Sequence, residues 1–382
     1  MRSRLFFLAG AFVLAALALP AASLAAGGAK PGTIVTSTPM QLTASLDAVA
    51  TGKRITYVST DPSGDPIVVS GAVLTPRPQI AQANPDNATR TVAWAHGTTG
   101  VADQCAPSAT DHLDLPPYDD YTRVAAGYLS QGWTVAATDY PGLGTPGPHP
   151  YVVGASEGRA VIDSVRAARN LDPALSEKWV ASGHSQGGQA AIFAAELADT
   201  YGKGLHLRGT VAIAPASNID LIAPALAGTP VQGYLVMALS GLAAVDPGVQ
   251  LDEVLAPEAL ARVGVLESGC FDEVMAAFGD LSPDELLVGG AVSDALVAKF
   301  AAGNPGQETP NAPVLLVQGS VDDTIPADLT QLFQSQLCGF DQPVALSEYA
   351  GADHINVLPA SQDDVHAYIR ARFRKEPAPS GC

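Results

Sequence analysis

From residue 54 onward the chain alternates between two hydrophobic rhythms. Arg54-Ile-Thr-Tyr-Val-Ser59 and Pro66-Ile-Val-Val-Ser-Gly-Ala-Val-Leu74 read as strands, and Asp61-Pro-Ser-Gly-Asp65 between them reads as a turn. They predict an antiparallel pair at the start of a sheet. Buried-type apolar runs follow at Thr91-Val-Ala-Trp-Ala95, Thr134-Val-Ala-Ala-Thr-Asp139, 178–184, Thr210-Val-Ala-Ile-Ala-Pro215, Pro313-Val-Leu-Leu-Val-Gln-Gly319 and Pro343-Val-Ala-Leu-Ser-Glu-Tyr349. Between them the apolar positions fall at helical spacing, over 121–131, 156–170, from 186, at about 327–338 and over 361–374. Such alternation predicts an α/β fold with a mostly parallel sheet covered by helices on both faces. Residues 27–53, rich in Gly, Pro and Thr before a weak helical run, read as a surface lead-in, and 81–89 as a polar loop.

The rhythm breaks once. From 218 to about 310 only Ala/Leu/Val helical patches occur, interrupted by Pro224, Pro230, Pro247, Pro257 and Pro283. Ninety residues is too long for a connection within a compact sheet. The expected organisation is therefore a core of 27–217 and 311–382 carrying a helical cap at 218–310. A greasy cap suits either a covered binding site or a plain packing surface.

Chemistry enters where a strand run meets an Ala-rich helical run, at Gly183-His-Ser185-Gln-Gly187. A G-x-S-x-G sequence in a strand–turn–helix setting is the nucleophile elbow of the α/β-hydrolases, with Ser185 as nucleophile. That fold requires the order nucleophile, acid, histidine, the last two on loops after the seventh and eighth strands. Gly319-Ser-Val-Asp322-Asp323 follows the seventh predicted strand, and Gly351-Ala-Asp-His354 follows the eighth. Asp322 is the expected acid and Asp323 a solvent-facing turn residue. Of seven histidines, five precede the acid and His366 lies inside the last helical run, which leaves His354 as the base. The loop His96-Gly97-Thr98-Thr99-Gly100 after the third predicted strand and the N–H of Gln186 supply the expected oxyanion donors, from Gly97, Thr98 and Gln186. This chemistry needs no cofactor and no metal.

Composition adds a compartment. Arg2 and Arg4 precede an apolar stretch at 5–19 and a small-residue segment ending at Ala26, the pattern of an export signal over 1–26. The net charge is −18, and −20 without the two signal arginines. So acidic a chain disfavours nucleic acid and anionic membranes as partners. Cys105, Cys270, Cys338 and Cys382 form an even set in an exported chain, implying two disulfides with three possible connectivities.

Several stretches run longer than the general motifs: Trp94-Ala-His-Gly-Thr-Thr-Gly-Val-Ala-Asp-Gln-Cys-Ala-Pro-Ser108, Asp139-Tyr-Pro-Gly-Leu-Gly144, His149-Pro-Tyr151, Gly183-His-Ser-Gln-Gly-Gly188 and Ala214-Pro-Ala216. In these the chain resembles the secretory lipase family, which includes fungal lipase A-type enzymes and actinobacterial exported hydrolases. The resemblance implies a secreted, monomeric serine ester hydrolase acting on triacylglycerols or other acyl esters, at times at a lipid–water interface. It also implies the pairs Cys105–Cys270 and Cys338–Cys382. The cap sequence is not diagnostic, so acyl-chain preference does not carry over. Polyester hydrolysis, acyl transfer, and peptidase or amidase action use the same residues, whereas a non-catalytic binding protein of this fold usually lacks one of them.

Overall fold

Nine strands make one sheet in the order β1-β2-β3-β5-β4-β6-β7-β8-β9. They are β1 (Ile34–Met40), β2 (Ala50–Thr60), β3 (Pro66–Pro76), β4 (Thr91–Ala95), β5 (Thr134–Thr138), β6 (Lys178–His184), β7 (His206–Ile213), β8 (Val314–Gly319) and β9 (Val344–Tyr349). Pairing is antiparallel from β1 to β3 and between β3 and β5, and parallel from β5 through β4 to β9. The computed structural model describes residues 28–118 and 120–382; the expected export segment and its cleavage point lie outside them.

Strand periodicity divides the side chains between the two faces. Val92 and Trp94 of β4 join a cluster with helices α1 (Tyr121–Ser130) and, near the C-terminus, Val357–Arg374. Ala93 and Ala95, one residue out of phase, pack with α2 (Gly154–Leu171) and α3 (Gln186–Glu196) on the other face. Every residue of β4 and β5 is buried, as a central strand covered on both sides requires.

The lead-in is a correction. It is expected as a surface lead-in with a weak helical run, and besides the short helix at Ala44–Asp47 it contains β1 and the first residues of β2. Residues 35–39 are exposed, so no apolar alternation marks this edge strand. Pairing with β2 holds it instead, helped by a 2.7 Å hydrogen bond between the Thr36 and Thr56 hydroxyls. Likewise the polar stretch after β3 starts as the helix Pro78–Ala83, which buries nothing and so leaves no hydrophobic period to read.

Between β7 and β8 the described chain is helical, with α4 (Ile219–Leu226), α5 (Gly233–Ala243), α6 (Phe271–Phe278), α7 (Asp294–Ala302) and several single-turn segments. These helices enclose an apolar cluster of their own, including Leu235, Leu239, Phe278 and Leu286. Gln232 is buried among them and donates Nε2 to the carbonyls of Phe278 (2.6 Å) and Leu281 (2.7 Å). The helix α8 (Ala327–Leu337) and the long α9 (Val357–Arg374) complete the sheet's cover.

Two disulfides are present, Cys105–Cys270 and Cys338–Cys382. The first joins the loop after β4 to the start of α6. Beside it Gly100 bridges to Cys270, and Phe271 N–H donates to Thr99 O at 3.0 Å. Gly100 sits at φ +130°, where a Cβ would lie 2.7 Å from Cys105 Sγ, so only glycine fits the junction. The second disulfide holds the C-terminal tail on β9, where Gly381 N–H donates to Val344 O at 2.7 Å.

Candidate active site

β6 ends at His184 and α3 begins at Gln186, leaving Ser185 alone in the turn at φ 58°, ψ −120°. A non-glycine residue held there costs on the order of 1–3 kcal/mol, so its surroundings must impose the geometry. Ser185 N–H donates to Ile213 O at 2.9 Å, and Ser185 O accepts from Ala216 N (3.1 Å) and Gly188 N (2.9 Å). The motif glycines serve close approach rather than unusual dihedrals. A Cβ on Gly187 would lie 1.9 Å from Ala95 O, and one on Gly183 would lie 2.0 Å from Gly187 O.

Asp322 and His354 stand on the loops that leave β8 and β9. Asp322 Oδ2 lies 2.8 Å from His354 Nδ1 and accepts from Gln318 Nε2 at 3.0 Å. Asp322 Oδ1 accepts the N–H groups of Thr324 (2.9 Å) and Ile325 (2.8 Å). All four groups bonded to this buried carboxylate stand in donor positions. Asp323 points to solvent. With Nδ1 engaged by a carboxylate, the His354 proton belongs on Nδ1, and Nε2 is the basic nitrogen. Nε2 is buried and has no partner among the described residues.

His184 explains why the histidine loop stays beside the elbow. Its ring centroid is 4.6 Å from that of His354, and its Nε2 lies 2.8 Å from His354 O. A carbonyl needs a donor, so Nε2 carries the proton and Nδ1 accepts from Tyr121 Oη at 3.0 Å. Burial and the neighbouring His354 hold the His184 pKa well below the ordinary histidine value, so the ring stays neutral. Tyr121 Oη in turn accepts the Gly97 N–H at 2.7 Å. Gly97 was one of three expected oxyanion donors; its N–H is committed to Tyr121 instead. The Thr98 hydroxyl shares a 2.7 Å hydrogen bond with Tyr151 Oη, which fixes the loop.

Gln186 is anchored from below. Its Nε2 contacts Glu157 Oε1 at 2.7 Å and His149 Nε2 at 3.0 Å, both side chains being fully buried. Burial pushes the Glu157 carboxyl up to about 8 and the His149 imidazole down to about 3. Both are therefore neutral at pH 7, and the pair is a hydrogen-bonded support rather than an ion pair. His366, passed over as the base because it lies inside the last helical run, is buried against Tyr128 and Trp133, and burial pushes it down to about 4.

Sequence reasoning missed the supporting residues. Glu157 carried a signal, because it shares a helical stripe with Val161, Val165 and Ala168. A carboxylate on an apolar face asks for a buried partner. Gln318, Tyr121 and Tyr118 carry none, since a strand end or a loop says nothing of which side chains meet across the fold.

Ser185 lines a narrow pocket of about 50 Å³. Ala216, Ile219, Ala223, Leu226, Tyr234 and Ile325 contribute to its mostly apolar wall. It lies between the sheet's C-terminal loops and helices α4 and α5.

A parallel sheet with a strained serine between strand and helix, and a carboxylate–histidine pair on its last two loops, defines an α/β-hydrolase. The model of the secretory lipase family matches residues 119–381, and the chain belongs to that family. It is accordingly a carboxylic-ester hydrolase. A secreted triacylglycerol lipase of Malassezia globosa is 27% identical over 349 residues, 86% of this chain and 73% of that one. A probable inactive lipase of Mycobacterium tuberculosis is 24% identical over 91% of this chain and 80% of its own. Candida antarctica lipase A in its closed state superposes with a TM-score of 0.78 at 19% identity, covering 94% of this chain and 87% of that one, a likeness of fold.

Proposed function

We propose that this protein is an exported serine esterase of lipid-type acyl esters, working through Ser185, Asp322 and His354. The observation that carries the reading is the Asp322–His354 pair: its Nε2 is free, and it is tied through His184 to the elbow that presents Ser185 to an apolar pocket. One close relative is named inactive, so family membership alone does not decide the matter, and the intact set of three supports activity here.

In the proposed cycle Ser185 Oγ attacks the ester carbonyl as His354 Nε2 takes its proton, and the carbonyl π pair moves onto oxygen. Asp322 holds the imidazole in the required tautomer and stabilises its cation. The Thr98 and Gln186 N–H groups, the latter at the positive end of α3, face the oxyanion. Collapse expels the alcohol with the proton from His354. Water, activated by the same nitrogen, then releases the carboxylic acid and restores Ser185. The pocket lining favours an aliphatic acyl chain. The secreted relatives and the signal-like terminal sequence support export, with the expected cleavage near Ala26.

The test uses p-nitrophenyl and emulsified acyl esters with wild type and Ser185→Ala, alongside fluorophosphonate labelling. Wild type should hydrolyse the esters and be labelled at Ser185, and the variant should do neither. Equal rates in the two proteins would overturn the assignment. Faster release of amines from arylamides than of alcohols from esters would point to an amidase.

A further inference from the structure

Tyr118 stands beside the reacting atoms and takes no part in the cycle above. Its ring is buried, stacked on Tyr121 at 4.8 Å, edge-on to His184 at 5.2 Å and 6.4 Å from the His354 ring. The hydroxyl end of the ring presses on the oxyanion loop, where a Cβ on Gly97 would lie 2.9 Å from Tyr118 Cε2 and Cζ. The hydroxyl itself is buried and closes no hydrogen bond among the described residues. Buried hydroxyls rarely go unpaired, and one beside the reacting atoms calls for a partner. Within reach of it, though not in hydrogen-bonding geometry, are the Ser185 hydroxyl, the Thr98 backbone and, from α5, the Tyr234 hydroxyl.

We propose that the Tyr118 hydroxyl is a third donor to the oxyanion, joining the Thr98 and Gln186 N–H groups, and is thus a catalytic residue for ester hydrolysis. The proposal rests on Ser185 being the nucleophile. When Ser185 Oγ bonds to the carbonyl carbon and the π pair moves to oxygen, a full negative charge forms beside the nucleophile and the oxyanion loop. The Tyr118 O–H then donates a hydrogen bond to that oxygen and keeps its proton; His354 alone carries the proton from Ser185. Burial pushes the phenol up to about 12, so it remains a donor across the working range of a secreted enzyme. An interaction absent from the free enzyme and made only as charge develops lowers the barrier without tightening ground-state binding. Phenylalanine would serve a purely packing role as well.

The test is Tyr118→Phe, which keeps the ring. Expected is a 10- to 1,000-fold loss of kcat with KM changed less than threefold. A boronic acid that forms the tetrahedral adduct at Ser185 should weaken in proportion to kcat/KM, while Tm stays level or rises. Wild-type kcat in the variant, or a loss confined to KM, would overturn the proposal. If the variant does not fold, wild type labelled with [13Cζ]tyrosine decides: boronate binding should shift one buried tyrosine resonance, and a spectrum without such a shift would overturn it. Wild type lacking any ester hydrolysis would bring down the Ser185 reading itself, a failure separable from that of Tyr118.

Discussion

Asp322 is surrounded by hydrogen-bond donors: His354 Nδ1 and Gln318 Nε2 at one oxygen, two backbone N–H groups at the other. Asn in its place must aim an NH₂ at donors whichever way the amide turns. Asp322→Asn should therefore lower kcat by roughly four orders of magnitude, through the wrong imidazole tautomer. It should also cost about 1–3 kcal/mol of stability for the unmatched donors. Rates on a soluble ester and a urea unfolding curve measure both; an active, stable Asn variant would exclude Asp322 as the orienting acid. Residues of this kind were legible to different degrees. Ser185, Asp322 and His354 stand at strand ends in a fixed order, which one dimension records. His184 acts across the sheet through a hydrogen bond that no spacing encodes, and Gln318 meets Asp322 only because the loop after β8 folds back on the strand's end.

At the scale of the element, α2 carries Glu157 beneath the elbow. Its carboxyl is raised from 4.5 to about 8 because burial penalises the charge. The folded protein therefore binds more protons than the unfolded chain between those values. Stability from this group is fully present below pH 4.5 and is lost as pH rises to 8, by about 1.4 kcal/mol per pH unit at most. His149 acts in the opposite sense and lower down, its support being lost as pH falls from 6.5 towards 3. Glu157→Gln mimics the neutral acid, so the variant should match wild type at pH 5 and be a few kcal/mol more stable at pH 9. Unfolding curves at the two pH values check this; parallel pH profiles would mean that Glu157 is charged throughout. Elements with a buried apolar stripe or run, such as β4, β5 and α2, were legible in the sequence. β1 was not, because its stability comes from backbone pairing rather than side-chain burial.

For the molecule as a whole, Cys105–Cys270 closes a separation of 165 residues. In the chain-entropy model such a cross-link is worth about 5 kcal/mol. The Cys105→Ser/Cys270→Ser double variant should unfold at lower denaturant and lose kcat even where it remains folded, since Thr98 sits on the loop so restrained. An undiminished kcat in folded double variant would detach the disulfide from catalysis. Both pairings had to come from family likeness, because cysteine counts alone leave three arrangements. The helical character of 218–310 could be read directly from the absence of strand runs, whereas its seating over Ser185 could not.

The same junction bears on how such a protein can diversify. Helices between β7 and β8 line the pocket beside Ser185, where the proposed acyl chain would lie, yet that segment is bonded at Cys270 to the very loop that carries Thr98. Specificity and turnover are thus written on one connected piece of chain. A cap grafted from a relative to change the preferred acyl length would bring its own strain to the oxyanion loop, and altered selectivity should arrive with altered rate. Engineering that seeks the first without the second has to begin at Gly100 and Cys270, where the two segments join.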